Sequence, residues 1–398
     1  MTESPRINGE HHIEGTQTAA QRMGVTLFLC GDVMTGRGVD QILAHASPPR
    51  IFEPYVQDAR EYVERAESVN GHIPRPVSPS YVWGDALQEF VRVQPAVRIV
   101  NLETSVTRCD DYWKGKGINY RMHPENVACL TAAQIDVCTL ANNYVLDYGR
   151  RGLIETLDTL AHAGLKTAGA GRNLVQARKP AIVPLPTGGR IAVFAAGSES
   201  SGILPSWSAG ERESGVVLLP DLSLETATDL VAQVKTVKHQ NDPIVASIHW
   251  GTNWGYDVSP DQVRFAHWLI DGGVDIVHGH SSHHPRPIEV YRGRLVLYGS
   301  GDFLNDYEGI AGYEPYRSDL TLMYFATMET TGDLTALSMV PMQLRQLRLR
   351  RASLSDARWL RDSLARASAP FGSEVELGPD GLLGLRWSRA RRWGWPSA

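Results

Sequence analysis

Short apolar runs, each closing on polar residues, recur along the chain. The first, VTLFLC from Val25 to Cys30, runs into Gly31-Asp32. VRIVNLE closes on Asn101-Leu102-Glu103, IDVCTLANN on Asn142-Asn143, PIVASIHWG on His249-Trp250-Gly251, and VDIVHGH on His278-Gly279-His280. Runs of this length and boundary predict buried strands. Helical spacing separates them: DAREYVERAESV, then RRGLIETLDTLAHAGL with Leu153, Leu157, Leu160 and a stop at Gly164, then QVRFAHWLIDGG. IAVFAAG adds a strand, PIEVYRGRLVLYGSGDF predicts a hairpin turned at Arg292-Gly293, and the Ser-rich SESSGILPSWSAG reads as a surface loop. Strands alternating with helices predict an α/β domain over 24–344, with a mobile tail over 1–23 and an extension over 345–398.

Composition narrows the class. The chain has 398 residues, 42% hydrophobic and 21% charged, enough to bury a large core, and disorder throughout is excluded. A formal net charge of -5 excludes a polybasic nucleic-acid binder. The extension departs from this balance: Arg345, Arg348, Arg350, Arg351, Arg358, Arg361 and Arg366 crowd it. Such an asymmetry points to anionic partners or to an exposed face that balances an acidic body. No apolar run approaches the roughly 18 residues of a membrane span. The N-terminus lacks the apolar core of a secretory signal, which predicts a cytoplasmic protein. Cys30, Cys109, Cys129 and Cys138 lack C-x-x-C spacing and read as reduced thiols. Oligomeric state is left open by the pattern.

The strand ends carry the chemistry. Asp32, Glu103, Asn143, His249, His280 and His283 all follow apolar strands, so one sheet edge can collect them. Carboxylates, an amide oxygen and imidazoles together make a mixed oxygen and nitrogen site for a divalent metal. One strand-end Asp or Asn alone more often caps a turn, but a series of six in order is hard to explain that way.

The motifs GDVMTGRG, NLETSVT, ANNYVLDYG, SIHWG, GHSSHHPRPIEVY and LYGSGDFLNDYEG resemble those of the CapA-type family of capsule and poly-γ-glutamate biosynthesis, within the calcineurin-like metallophosphoesterase superfamily. The resemblance implies a four-layer α/β fold, two packed β-sheets flanked by helices, with a metal centre at the strand ends. It makes Asp32, Glu103, Asn143, His249, His280 and His283 the ligand set. Two positions depart from it: Met34 stands where the superfamily often has a ligand histidine, and Tyr144 stands where the family usually writes NNH. A phenol of pKa about 10 is a poorer acid than imidazole, so phosphoester hydrolysis is expected to be crippled or absent.

A His/Asp pair is a general-base unit, and two such pairs on opposite faces of a carbon would epimerise it without a redox or organic cofactor. The chain is similar to a peptide epimerase of lasso-peptide biosynthesis that inverts a C-terminal tryptophan. That likeness implies a metal-dependent isomerase acting on a peptide, with His249, His280, His283, Asp32, Asp147 and Tyr144 catalytic. Trp250, Trp254 and Arg286 would then receive the aromatic side chain and the carboxylate. The alternatives are a metal-dependent hydrolase of phosphoesters or amides, and an accessory protein of polyglutamate assembly. Ca²⁺, Mg²⁺, Zn²⁺ and Mn²⁺ all suit the donors.

Overall fold

In the computed structural model, residues 24–387 are described, except 187, 240, 241 and 330. The tail expected over 1–23 and the final basic segment 388–398 lie outside the described residues. Two sheets dominate. The first runs, edge to edge, through Ser373–Leu377, Leu383–Trp387, Leu334–Leu344, Leu320–Met328, Val25–Val33, Val97–Leu102, Val137–Thr139 and Lys166–Ala168. The last four of these strands are mutually parallel. The second runs through Leu218–Leu219, Arg190–Ser198, Ile244–His249, Ile276–His280, Arg294–Leu297 and Ile288–Tyr291, parallel except for the final hairpin.

Period-two alternation explains the layering. Ile244, Ala246 and Ile248 pack outward with Phe265, Ala266 and Leu269 of the helix Pro260–Asp271 and Leu230, Val231 and Val234 of the helix Leu224–Val237. Val245 and Ile276, one position out of phase, join Leu27, Leu29, Ile99 and Val137 in the core between the sheets. On the far side of the first sheet, Phe28 meets Phe90 edge-on at 4.7 Å and is followed by Trp83 and Phe303. The order is therefore helices, sheet, sheet, helices: the four layers the motifs imply.

Parallel neighbours require long crossovers, and the sequence supplies well-bounded helices for them. Pro260–Asp271 starts on a capping box, Ser259 with Gln262, with Pro260 in the first turn. Gly149–His162 buries Leu153 and Leu160, and Gly164 follows it with φ +78°. Past Leu344 the chain does not leave the body, since Leu383–Trp387 pairs with Leu334–Leu344. Its charges are paired there: Arg351 meets Glu89, Arg361 meets Asp362, and Asp356 of the helix Leu354–Ser368 meets Arg317 of the body.

SESSGILPSWSAG is the clearest correction to the sequence expectation. It forms two short 3₁₀ turns, and Trp207 in it is fully buried against the edge of Trp113 at 5.5 Å. All four cysteines are free, as expected. Among the described residues no helix is long and apolar enough to cross a membrane.

Candidate metal centre

Between the sheets, the inward-facing positions change from apolar to polar toward the C-terminal ends of the strands. Ile99 gives way to Asn101, Val137 to Thr139, Val245 to Ser247 and His249, and Ile276 to His278 and His280. All six polar residues are buried. Register brings them together: His249 lies directly opposite His280, and Asp32 lies opposite both Asn101 and Asp302. Two glycines allow the close approach. A Cβ on Gly31 would lie 1.6 Å from the Gly301 carbonyl oxygen, and one on Gly279 would meet the carbonyl oxygens of Leu297 and Tyr298 at 2.5 and 2.7 Å.

Asp32, His249 and His280 form the cluster, each offering a ligand atom within 4.8 Å of the others. Asp32 is held at both oxygens, Oδ1 by the Asn101 amide at 2.7 Å and Oδ2 by the Ser281 backbone N–H at 3.2 Å. Ser281 adopts φ +101°, a strained conformation for a residue with a Cβ, and so turns its N–H toward the carboxylate.

The ring protons of the histidines follow from their partners. His278 Nε2 can only donate to the Cys30 carbonyl, at 2.7 Å. Burial depresses the imidazole to about 4, so the ring is neutral and its Nδ1 accepts from Ser247 Oγ at 3.1 Å. Ser247 Oγ in turn accepts from His280 Nε2 at 2.8 Å, which leaves His280 Nδ1 bare. His249 is neutral too, pushed down to about 3 by burial and then by the charges of His283 and Lys116. Its Nε2 donates to Asn143 Oδ1 at 3.0 Å, so its Nδ1 carries no proton, with the Asn101 amide N–H the donor nearby at 3.5 Å. These two bare nitrogens face each other at 2.7 Å.

Two lone pairs at that separation repel unless a cation sits beside them. A second observation agrees: among the described residues no donor reaches the buried Glu103 Oε2, the Glu103 carboxyl meets that of Asp32, and Oε1 lies 3.6 Å from His249 Nε2. Burial, then the charges of Asp32 and Asp302, push the Glu103 carboxyl well above its ordinary range. Asp32 is pushed up to about 7, first by burial and then by Asp302. A buried group of carboxylates and bare imidazole nitrogens fits a divalent metal. Asp32, His249 and His280 would hold it, with Asn143 and Glu103 on the Nε2 side of His249.

His283 stands apart from this cluster. Its Nδ1 pairs with Asp302 Oδ1 at 2.9 Å, and Asp302 also accepts from Asn305 at 2.9 Å. Burial opposes protonation of His283, but Asp302 outweighs it and raises the imidazole's pKa. Trp254 lies beside this pair, its ring 5.2 Å from His283 and stacked on the exposed Tyr313 at 4.0 Å.

The remaining candidates are placed elsewhere. Trp250 is buried toward the outer helices, edge-on to Phe265 at 6.2 Å, with its Nε1 on the Tyr298 carbonyl. Arg286 is buried and braces the neighbouring loop through Thr252 and Trp254. Asp147 is joined to Lys116 at 2.5 Å and to the Tyr120 N–H at 2.6 Å rather than to an imidazole. Tyr144 borders the centre in an aromatic wall with Met34 and Tyr120. Burial, then Glu103 and Asp147, push its phenol higher still, so it is an even poorer acid than the sequence suggests.

Asn101 and Ser247 are functional partners the sequence pattern did not single out. Asn101 lies two residues before Glu103 on a strand, a spacing that would have placed it on the inner face. Ser247 had the same signal relative to His249.

A family model described as "Bacterial capsule synthesis protein PGA_cap" matches residues 26–307. The chain belongs to this family. It is 47% identical over 90% of its length to a probable polyglutamine synthesis accessory protein of Mycobacterium tuberculosis, covering 95% of that protein. It is 27% identical to the PGA biosynthesis protein CapA of Bacillus subtilis, over 76% of this chain and 68% of that one. Against the capsule biosynthesis protein CapA of Bacillus anthracis the identity is 25%, over 71% and 60%. The crystal structure of TT1561 of Thermus thermophilus aligns with 77% of this chain and 100% of that one, at a TM-score of 0.37 and 8% identity, a likeness too slight to add to the fold described above. The family membership agrees with the motif resemblance. The relatives named here are accessory and capsule proteins, and none is named as an epimerase.

Proposed function

We propose that this chain is an accessory protein of polyglutamate-type polymer synthesis whose buried divalent-metal centre engages the polymer's carboxylate or amide groups. The observation that carries the reading is the pair of bare imidazole nitrogens of His249 and His280 beside Asp32. Support for the polymer comes from the capsule-synthesis family and from relatives named for polyglutamine synthesis and PGA biosynthesis. A divalent ion held there would supply Lewis-acid polarisation and acidify water.

A second reading, amide hydrolysis, is favoured by the His283–Asp302 pair. Asp302 orients the ring, so His283 is placed to take a proton from an attacking water and return it to the departing nitrogen. Phosphoester cleavage fits less well, because Tyr144 cannot act as a ready acid. Epimerisation needs a second acid–base pair facing the first, and Asp147, the carboxylate expected to serve it, is committed to Lys116.

One experiment separates these. Protein loaded with Mn²⁺ is titrated calorimetrically with a γ-linked glutamate oligomer in D₂O, and the mixture is then followed by NMR. The proposal expects metal-dependent binding that is lost in Asp32→Asn. Amine release abolished by His283→Ala would establish hydrolysis, and deuterium at Cα would establish epimerisation. Absence of binding by metal-loaded protein, or binding indifferent to metal, would sink the proposal.

A further inference from the structure

The loop between Cys109 and Asn119 carries a largely buried cation that is not among the candidate metal ligands. Lys116 is 11% exposed at its side chain, and its Nζ gives one hydrogen bond among the described residues, to Asp147 Oδ1. The face of the Tyr144 ring lies 3.6 Å from Nζ, and the Trp207 ring lies 5.5 Å away. An ammonium has three N–H donors, so the Asp147 bond and the Tyr144 face leave capacity for a further acceptor.

Its position relates it to the centre. Its Nζ lies over the ring of Tyr144, the residue after Asn143, whose Oδ1 meets His249 Nε2 at 3.0 Å. Burial lowers the ammonium's pKa below its ordinary value, and the ion pair with Asp147 offsets part of that shift. Asp147 also ties both ends of the loop: its carbonyl accepts from the Trp113 N–H at 2.7 Å and its carboxylate from the Tyr120 N–H at 2.6 Å. The stretch that carries Lys116 is free by comparison. Gly115 and Gly117 take φ +81° and +91°, with no atom within 4 Å of a notional Cβ.

We infer that Lys116 is an oxyanion-binding residue, gripping a carboxylate or phosphoryl group of a ligand whose other end meets the metal centre. The inference rests on reading the Asp32, His249 and His280 cluster as a metal site. The physical logic is charge placement. A ligand anion near Asp32, Glu103 and Asp302 meets three carboxylates, and the metal can neutralise only the side it touches. On the Tyr144 side Arg37 is already committed to Asp306 and Glu53, while Lys116 has donor capacity left. The rings of Tyr144 and Trp207 beside it lower the local polarity, which strengthens its attraction for an anion.

The test uses full-length protein loaded with Mn²⁺ and two small probes, glutarate and inorganic phosphate, each titrated calorimetrically. Wild type is expected to bind at least one of them, and the preferred probe identifies the oxyanion. Lys116→Gln should weaken that binding about tenfold or more, with Mn²⁺ affinity held within about threefold, while Lys116→Arg retains part of it. Lys116→Gln strands Asp147, so the double variant Lys116→Gln/Asp147→Asn guards against simple misfolding and should show the same loss. Anion binding unchanged in both variants would overturn the inference, as would equal losses of anion and Mn²⁺ affinity. If wild type binds Mn²⁺ but neither probe, the inference fails while the metal reading stands. If it binds no metal, the underlying reading fails.

Discussion

Ser247 touches neither solvent nor the carboxylates, yet it decides which nitrogen His280 presents to the cluster. The relay from the Cys30 carbonyl through His278 and Ser247 leaves His280 Nδ1 bare. Partners of this kind typically contribute about 10–100-fold to metal affinity. Ser247→Ala is therefore expected to weaken Mn²⁺ binding by about that factor without unfolding the chain, as read by calorimetry and circular dichroism. His284 gives a pH test at the same scale. It is buried, its Nε2 has no partner among the described residues, and burial holds its imidazole down at about 4 against an ordinary 6.5. Between those values the unfolded chain takes up a proton that the folded chain refuses, so stability falls as pH drops from 6.5 to 4. The loss from this one residue is about 3 kcal/mol. His284→Phe keeps the stacking on Tyr316 at 4.7 Å and should flatten that part of the urea-denaturation profile. An unchanged slope would contradict the assignment.

Among the elements, the strands were legible because their apolar runs end abruptly in polar residues. Those ends bring Asp32, Glu103, Asn143, His249 and His280 into one neighbourhood. What the sequence could not show was register and pairing across long separations. Asp147 looked like a partner for histidine, but its partner is Lys116, 31 residues away on a glycine-rich loop with no periodic pattern. Trp250 followed His249 and looked like part of the site, but alternation along the strand sends it to the opposite face. Trp207 looked exposed because serines surround it, while its ring fills the space beside Trp113. The first and last motif loops are joined by a feature no motif spells out. Buried Arg37 binds Asp306 at 2.8 Å and Glu53 at 2.8 Å, and Tyr120 adds its hydroxyl to Asp306 at 2.7 Å. Removing one member of such a buried network strands the rest, so Arg37→Met should cost about 3–5 kcal/mol in denaturant unfolding.

For the whole molecule, the two sheets confine three carboxylates and the bare imidazoles in one buried space, and binding a cation there should couple to folding. A ligand at about a hundred times its Kd adds about 2.7 kcal/mol to stability. Mn²⁺ is therefore expected to raise the melting temperature of wild type by several degrees, and chelation should reverse the gain. The most direct test is calorimetric titration of chelator-treated protein with Mn²⁺ and Zn²⁺ at neutral pH, for wild type, Asp32→Asn and His280→Ala. Saturable binding at micromolar Kd or tighter in wild type, weakened at least a hundredfold in each variant, is the result predicted here. Equal binding in all three proteins, or none in wild type, would contradict a metal centre at these residues.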